Sequence, residues 1–180
     1  LPAKKAATIA AIAEGALLGA YSFNKFRVDS MVNRQASLKS VTIHSALAKK
    51  AEAKEAVKSA AIIGEYTCLV RDLINTPPSH LTPDSFCKEI ADLVKKVGGS
   101  AIGLKVTVMN DSQLKSKGYG GITAVGQGSA NPPRLLQISY TPVKLKAKKN
   151  YAYVGKGITF DSGGLALKPA AGMEAMKSDM

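Results

Sequence analysis

The sequence predicts an α/β fold, a mixed and mostly parallel sheet flanked by helices, with a long connecting helix and the end of a smaller α/β region in front of it. Three short apolar runs, Leu104 to Met109, Arg134 to Tyr140 and Tyr151 to Val154, have the length and the β-branched or aromatic content of strands. A helix pattern bounded by Thr82-Pro83 and Gly98-Gly99 precedes them. Helices interleaved with such strands define the α/β class.

From the start of the chain, Ile9, Ile12, Ala16, Leu17, Ala20 and Tyr21 recur at helical spacing, so Ala3 to Phe23 is expected to be an amphipathic helix. The polar, basic stretch from Tyr21 to Ser40 lacks periodicity and reads as a loop. Ser40 to His44 alternates as a short strand would. Ser45 to Ile74 is alanine-rich and helix-permissive. Its apolar stripe includes Val57, Ala60, Ile63, Val70 and Leu73, Gly64 marks a break or a close packing contact, and Pro77-Pro78 ends the helix.

Thr82 is placed to cap the next helix, with Pro83 at its first position and Asp84 in its first turn. Phe86, Ile90, Leu93, Val94 and Val97 form one face of that helix, and Gly98-Gly99 stops it. After the strand Leu104 to Met109, Asp111 is the expected cap of a short segment. Gly118, Gly120 and Gly121 suggest a phosphate loop, but neither G-x-G-x-x-G nor G-x4-G-K-[ST] is satisfied. His44 stands without ligand-spaced partners, and His80 sits in a turn where a local hydrogen bond accounts for it.

At 180 residues and 46% hydrophobic, the chain can bury the core of one ordinary domain. Cys68 and Cys87 fall in helical segments with neither a disulfide framework nor a Cys-x-x-Cys metal knuckle, which fits a reducing cytoplasm. Charge interrupts every apolar stretch before membrane-spanning length. The net charge of +12 raises the alternative of a basic nucleic-acid-binding module. The lysines are dispersed, with one denser group at Lys144, Lys146, Lys148 and Lys149; aromatics are few and no nucleic-acid motif is present, so solvated helix faces explain the charge better.

The chemistry concentrates in the last thirty residues, YAYVGKGITFDSGGLALKPAAGMEAMKSDM. Lys156, Asp161, Lys168 and Asp179 follow as K-x4-D-x6-K-x10-D, threaded through Gly155, Gly157, Gly163 and Gly164. Any one of them alone reads as a solvated turn residue. Set in a run of Gly, Ala, Ile, Leu, Val and Met, the four are harder to dismiss, because buried charges need partners or metal. Two carboxylates brought together repel unless a cation lies between them, and hard oxygen donors suit Mg, Mn or Zn. Lysine joins such a shell only as the neutral amine, a role that suits Lys156, five positions before Asp161. Lys168, beyond a second glycine turn, is suited to polarise a substrate carbonyl while protonated.

The run VGKGITFDSGGLALKP with GMEAMKSDM closely resembles the metal-binding signature of the leucyl (cytosol) aminopeptidase family. EGALLGAYSF, RDLINTPPSHLTP and GGITAVGQGSANPPRLLQISY resemble the same family in the same order. The resemblance implies that Lys156, Asp161 and Asp179 are metal ligands, with Asp161 bridging two divalent metals (Mn or Zn, with Mg or Co as further options). It implies that Lys168 is the catalytic lysine and that Met176, with Met173 beside it, lines the pocket for the substrate's first side chain. Ordinary core packing is an equal reading for the two methionines. Lys156, Asp161 and Lys168 would also touch substrate.

The implied activity is release of N-terminal residues, leucine-like by preference, from peptides by a water activated between two metals, in a cytoplasmic homohexamer. The family's further motif Asn-Thr-Asp-Ala-Glu-Gly-Arg, whose carboxylates complete the metal shell and whose arginine holds a bicarbonate, is absent from these residues. An internal piece of a longer protein, inactive by itself, is therefore expected. On this reading residues 1–55 end the smaller N-terminal domain, 56–75 connect, and 76–180 begin the catalytic domain. A catalytically dead scaffold relative is the other alternative.

Overall fold

The computed structural model describes residues 4–27, 38–144 and 149–180, together with the backbone but not the side chain of Asp179. Lys146, Lys148 and the middle of the loop expected after Tyr21 fall outside the described residues. The chain divides into two compact units, Leu1–Asn75 and Thr76–Met180.

Among the described residues, the first unit holds a pair of helices. α1 spans Ala6–Gly19 and α2 spans Ala51–Asn75. α1 begins after Lys4 and Lys5 and ends at Gly19, four residues before the expected Phe23; Ala3 lies outside the described residues. Ile9 and Ala53 are buried together, with Ile12, Ile43 and Leu47 packed on them. Ser40 to His44 is not a strand: it has no ladder partner among the described residues, and Ile43 is held instead by packing on that small core. Gly64 does not break α2. A Cβ there would stand 2.9 Å from Leu17 Cδ1, so the missing side chain is what lets the helices approach.

The buried stripe of α2 is correspondingly small, Ala53, Ala60, Gly64 and Leu73, while Val57, Ile63 and Val70 from the expected stripe are exposed. Polar contacts fasten the far end. Arg71 NH1 donates to the Leu18 carbonyl at 3.0 Å, in the last turn of α1, where the same oxygen also accepts the Tyr21 amide at 3.4 Å. Tyr21 Oη donates to Asp72 Oδ1 at 2.8 Å and accepts from Asn75 Nδ2 at 3.0 Å.

The second unit opens with a turn in which the His80 amide donates to the Pro77 carbonyl and the His80 ring meets Ser79 Oγ at 3.1 Å. α3, Pro83–Lys96, starts as its sequence demands: Thr82 is the N-cap, Pro83 sits at N1, and Thr82 and Ser85 exchange reciprocal hydrogen bonds. A 3₁₀ turn, Gly99–Ile102, leads into β1, Leu104–Met109. α4, Asp111–Ser116, is capped by Asn110 rather than Asp111: Asn110 accepts from the Gln113 amide at 2.9 Å and Gln113 returns the bond at 3.0 Å. Asp111 occupies the first turn, where its charge faces the positive end of the helix. The glycines at 120 and 121 begin a short helix, α5, Gly120–Gly126, and not a phosphate loop.

β2, Leu135–Tyr140, pairs antiparallel with β1, register Val106↔Ile138. The α/β class therefore holds, but among the described residues the sheet is this one antiparallel pair rather than a mostly parallel array. Tyr151 to Val154, read as a third strand, is irregular and open, with Tyr153 96% and Val154 98% exposed. A strand is defined by its ladder partner, and among the described residues none lies beside this run. Leu81, Cys87 and Leu114 are the buried apolar residues among those described in this unit. A cavity of about 860 Å³ opens between α3, α5, β2 and residues 155–160, with Phe86, Ile122, Leu136, Lys156 and Phe160 in its wall.

Candidate metal centre

The residues after the open run fold back on themselves through glycine. Gly163 and Gly164 both have positive φ, 92° and 67°, where a side chain is strained. This turn is closed by the Lys168 amide, which donates to the Ser162 carbonyl at 2.9 Å. A β-carbon at Gly163 would collide with the Ala166 carbonyl oxygen and lie 3.1 Å from Lys168 Cγ. Only glycine therefore permits the turn that brings Lys168 back over Asp161.

The result is a cluster centred on Asp161. Its Oδ1 accepts the Gly163 amide at 3.1 Å, which turns Oδ2 toward the amines. Lys156 Nζ stands 3.5 Å from Oδ2 and Lys168 Nζ 3.2 Å from the same oxygen. Lys168 Nζ also donates to Met176 Sδ at 3.1 Å. The Lys168 ammonium, then the Gly163 amide, hold the Asp161 carboxyl below its ordinary range against a small opposing cost of burial. Both lysines and Asp161 remain partly open, with side chains 49%, 34% and 30% exposed, so a small ligand can reach them.

Of the residues singled out in the sequence, Lys156, Asp161, Lys168 and Met176 come together here. Met173 opens the 3₁₀ turn Met173–Asp179, where its amide donates to the Ala170 carbonyl. Asp179 ends that turn, and its side chain lies outside the described residues. Gly163, as an amide donor to Asp161, is the site member that sequence reasoning missed. Its signal was the Asp-x-Gly-Gly spacing, a pattern in which a carboxylate takes an amide two residues on.

A carboxylate oxygen that gathers two ammonium groups is also suited to a divalent cation, and Lys156 can join as an amine donor once it gives up its proton. The hard oxygen and nitrogen donors fit Mn, Mg or Zn. Two donors are fewer than such ions take. Among the described residues no group of three or more His, Cys, Asp and Glu converges.

Residues 68–180 match the catalytic domain of the cytosol aminopeptidase family, and the chain belongs to that family. Over its full length it is 43% identical to a Micrococcus luteus protein named "Probable cytosol aminopeptidase", of which it covers 34%. It superposes on the bottromycin maturation enzyme BotP in complex with Mn with a TM-score of 0.76 and 37% identity, over 97% of this chain and 33% of that one. The apo leucyl aminopeptidase of Trypanosoma cruzi gives a TM-score of 0.77 and 31% identity over 98% of this chain and 32% of that one. The chain thus spans about a third of the relatives that it matches. No helix among the described residues is long and apolar enough to cross a membrane.

Proposed function

We propose that the complete protein is a metal-dependent aminopeptidase that releases N-terminal, preferably leucine-like, residues from peptides in the cytoplasm, as a homohexamer. The observation that carries this reading is the convergence of Lys156 and Lys168 on Asp161 Oδ2 within the segment matched to the family's catalytic domain. Residues 76–180 form the first part of that domain, 56–75 the connection and 1–55 the end of a smaller domain.

On this reading Asp161 and Lys156 would hold metal ions from this chain, with Asp179 as the second carboxylate and the further ligands and a bicarbonate site elsewhere in the complete protein. Two bound divalent cations supply acidified water and charge stabilisation for amide hydrolysis. Asp161 is set for a shared position because the Gly163 amide fixes Oδ1 and leaves Oδ2 facing both amines. Lys168 reaches the scissile carbonyl with its ammonium and stabilises charge that develops on that oxygen. Met176 and Met173 bound the pocket for the first side chain of the substrate.

The test is leucine-amide hydrolysis by the complete protein with added manganese. Lys168→Gln is expected to lower kcat by on the order of a hundredfold. Asp161→Asn is expected to lose metal affinity by calorimetry as well as activity. Full activity in both variants would remove the reading. The 180-residue chain by itself is expected to be inactive, because a partial shell holds metal loosely; leucine-amide turnover by this chain at the rate of the complete protein would contradict that.

A further inference from the structure

Three of the chain's five methionines, Met173, Met176 and Met180, fall within its last eight residues. Met176 is partly buried, and its sulfur touches the ammonium that the proposed function assigns to the substrate carbonyl. Lys168 Nζ lies 3.1 Å from Met176 Sδ and 3.2 Å from Asp161 Oδ2, so one ammonium is shared between a weak acceptor and a strong one. This balance depends on the thioether being a weak acceptor.

We propose that Met176 is a reversible modification site, oxidised to the sulfoxide by hydrogen peroxide, and that the sulfoxide captures Lys168. The inference rests on the Lys168 reading for its effect on catalysis. In the reaction a sulfur lone pair attacks one peroxide oxygen, the S–O bond forms as the O–O bond breaks, and the proton of the delivered oxygen passes to the departing hydroxide to give water. Sulfur loses two electrons and the peroxide gains them. The product is a polar S–O group where an apolar thioether stood.

Sulfur and nitrogen are already in contact at 3.1 Å, so oxygen added on the lone pair that faces Lys168 takes the place of the ammonium. The displaced Lys168 can bond to the sulfoxide oxygen, an acceptor far stronger than the thioether, and it then leaves both Asp161 and the substrate carbonyl. Met180 provides an internal comparison. Its sulfur contacts Lys177 Nζ at 3.1 Å, so oxidation there leaves the Lys168 contact in place.

The experiment treats the manganese-loaded complete protein with hydrogen peroxide, locates added oxygen by peptide mass mapping, and measures leucine-amide hydrolysis before and after methionine sulfoxide reductase. Oxygen is expected on Met176, with a rate loss of about tenfold or more that the reductase restores; complete loss of such an electrophilic contact is on the order of a hundredfold. In Met176→Leu the treated-to-untreated ratio stays near one. In Met180→Leu the loss persists. A crystal structure of the oxidised protein is expected to show Lys168 Nζ on the sulfoxide oxygen.

Met176 left unmodified at doses that oxidise the other methionines overturns the proposal. So does a fully oxidised Met176 with Lys168 still on Asp161, or an equal loss in Met176→Leu. Indifference of untreated enzyme to Lys168→Gln sinks the Lys168 reading instead, and the peptide map and oxidised structure then decide the modification by themselves.

Discussion

Replacing Gly163 by alanine isolates how much of the centre depends on one turn. At φ 92° an L-residue costs roughly 1–2 kcal/mol. The new Cβ also meets the Ala166 carbonyl and lies 3.1 Å from Lys168 N, so the backbone must shift. The shift breaks the Lys168 amide to Ser162 carbonyl bond, which contributes about 0.5–1.5 kcal/mol. Together these reach about 1.5–3.5 kcal/mol, concentrated where Asp161 and Lys168 are aligned. Gly164→Ala is the matched control: its φ of 67° carries the conformational term, yet no atom lies within 4 Å of the new carbon. The assay is kcat/KM for leucine amide with urea unfolding of each variant of the complete protein. Gly163→Ala is expected to lose at least tenfold more kcat/KM than Gly164→Ala. Equal losses in the two variants would refute the turn as the device that aims Lys168.

Leu114 is fully buried, and Leu114→Ala is expected to lose about 2–5 kcal/mol in urea unfolding. Burial pushes the Cys87 thiol up while Cys68 is half-buried, so a disulfide reagent is expected to label Cys68 first at neutral pH, with Cys87 following only as pH rises; peptide mapping reads the order. The Lys88 ammonium, with Arg134 beside it, holds the Asp84 carboxyl below its ordinary range. A lowered folded value contributes stability above the unfolded carboxylate pKa of about 3.9 and loses it as pH falls through the folded value. Asp84→Asn is therefore expected to flatten the urea midpoint against pH below about 4 and to leave its slope near neutrality unchanged. Dialysis of the complete protein against a chelator is expected to abolish leucine-amide hydrolysis, and manganese to restore it.

Local rules made much of this chain legible. The Thr82-Pro83 start, the Gly98-Gly99 stop and the alternation of Leu104 to Met109 are set by neighbours in sequence, and each appears where those neighbours place it. Asn110 outcompeted Asp111 as a cap because the cap's partner, Gln113, lies three residues on from Asn110. Non-local choices were less visible. Strand direction depends on which run meets which, and the β-rich composition of Tyr151 to Val154 cannot make a strand without a facing ladder. The close approach at Gly64 needed Leu17, forty-seven positions away, to be interpreted. The lysines and the aspartate of the centre were readable as chemistry, whereas the Gly163 amide that orients Asp161 was legible only as spacing.

The open run at Tyr151 to Val154 has a consequence for handling the isolated chain. An aromatic, β-branched stretch that is almost wholly exposed is a template for pairing with its own kind in other molecules. A net charge of +12 opposes that association through mutual repulsion, and electrolyte weakens repulsion over a Debye length of about 10 Å at 0.1 M. Colloidal stability should therefore fall as ionic strength rises, with aggregation beginning at these tyrosines.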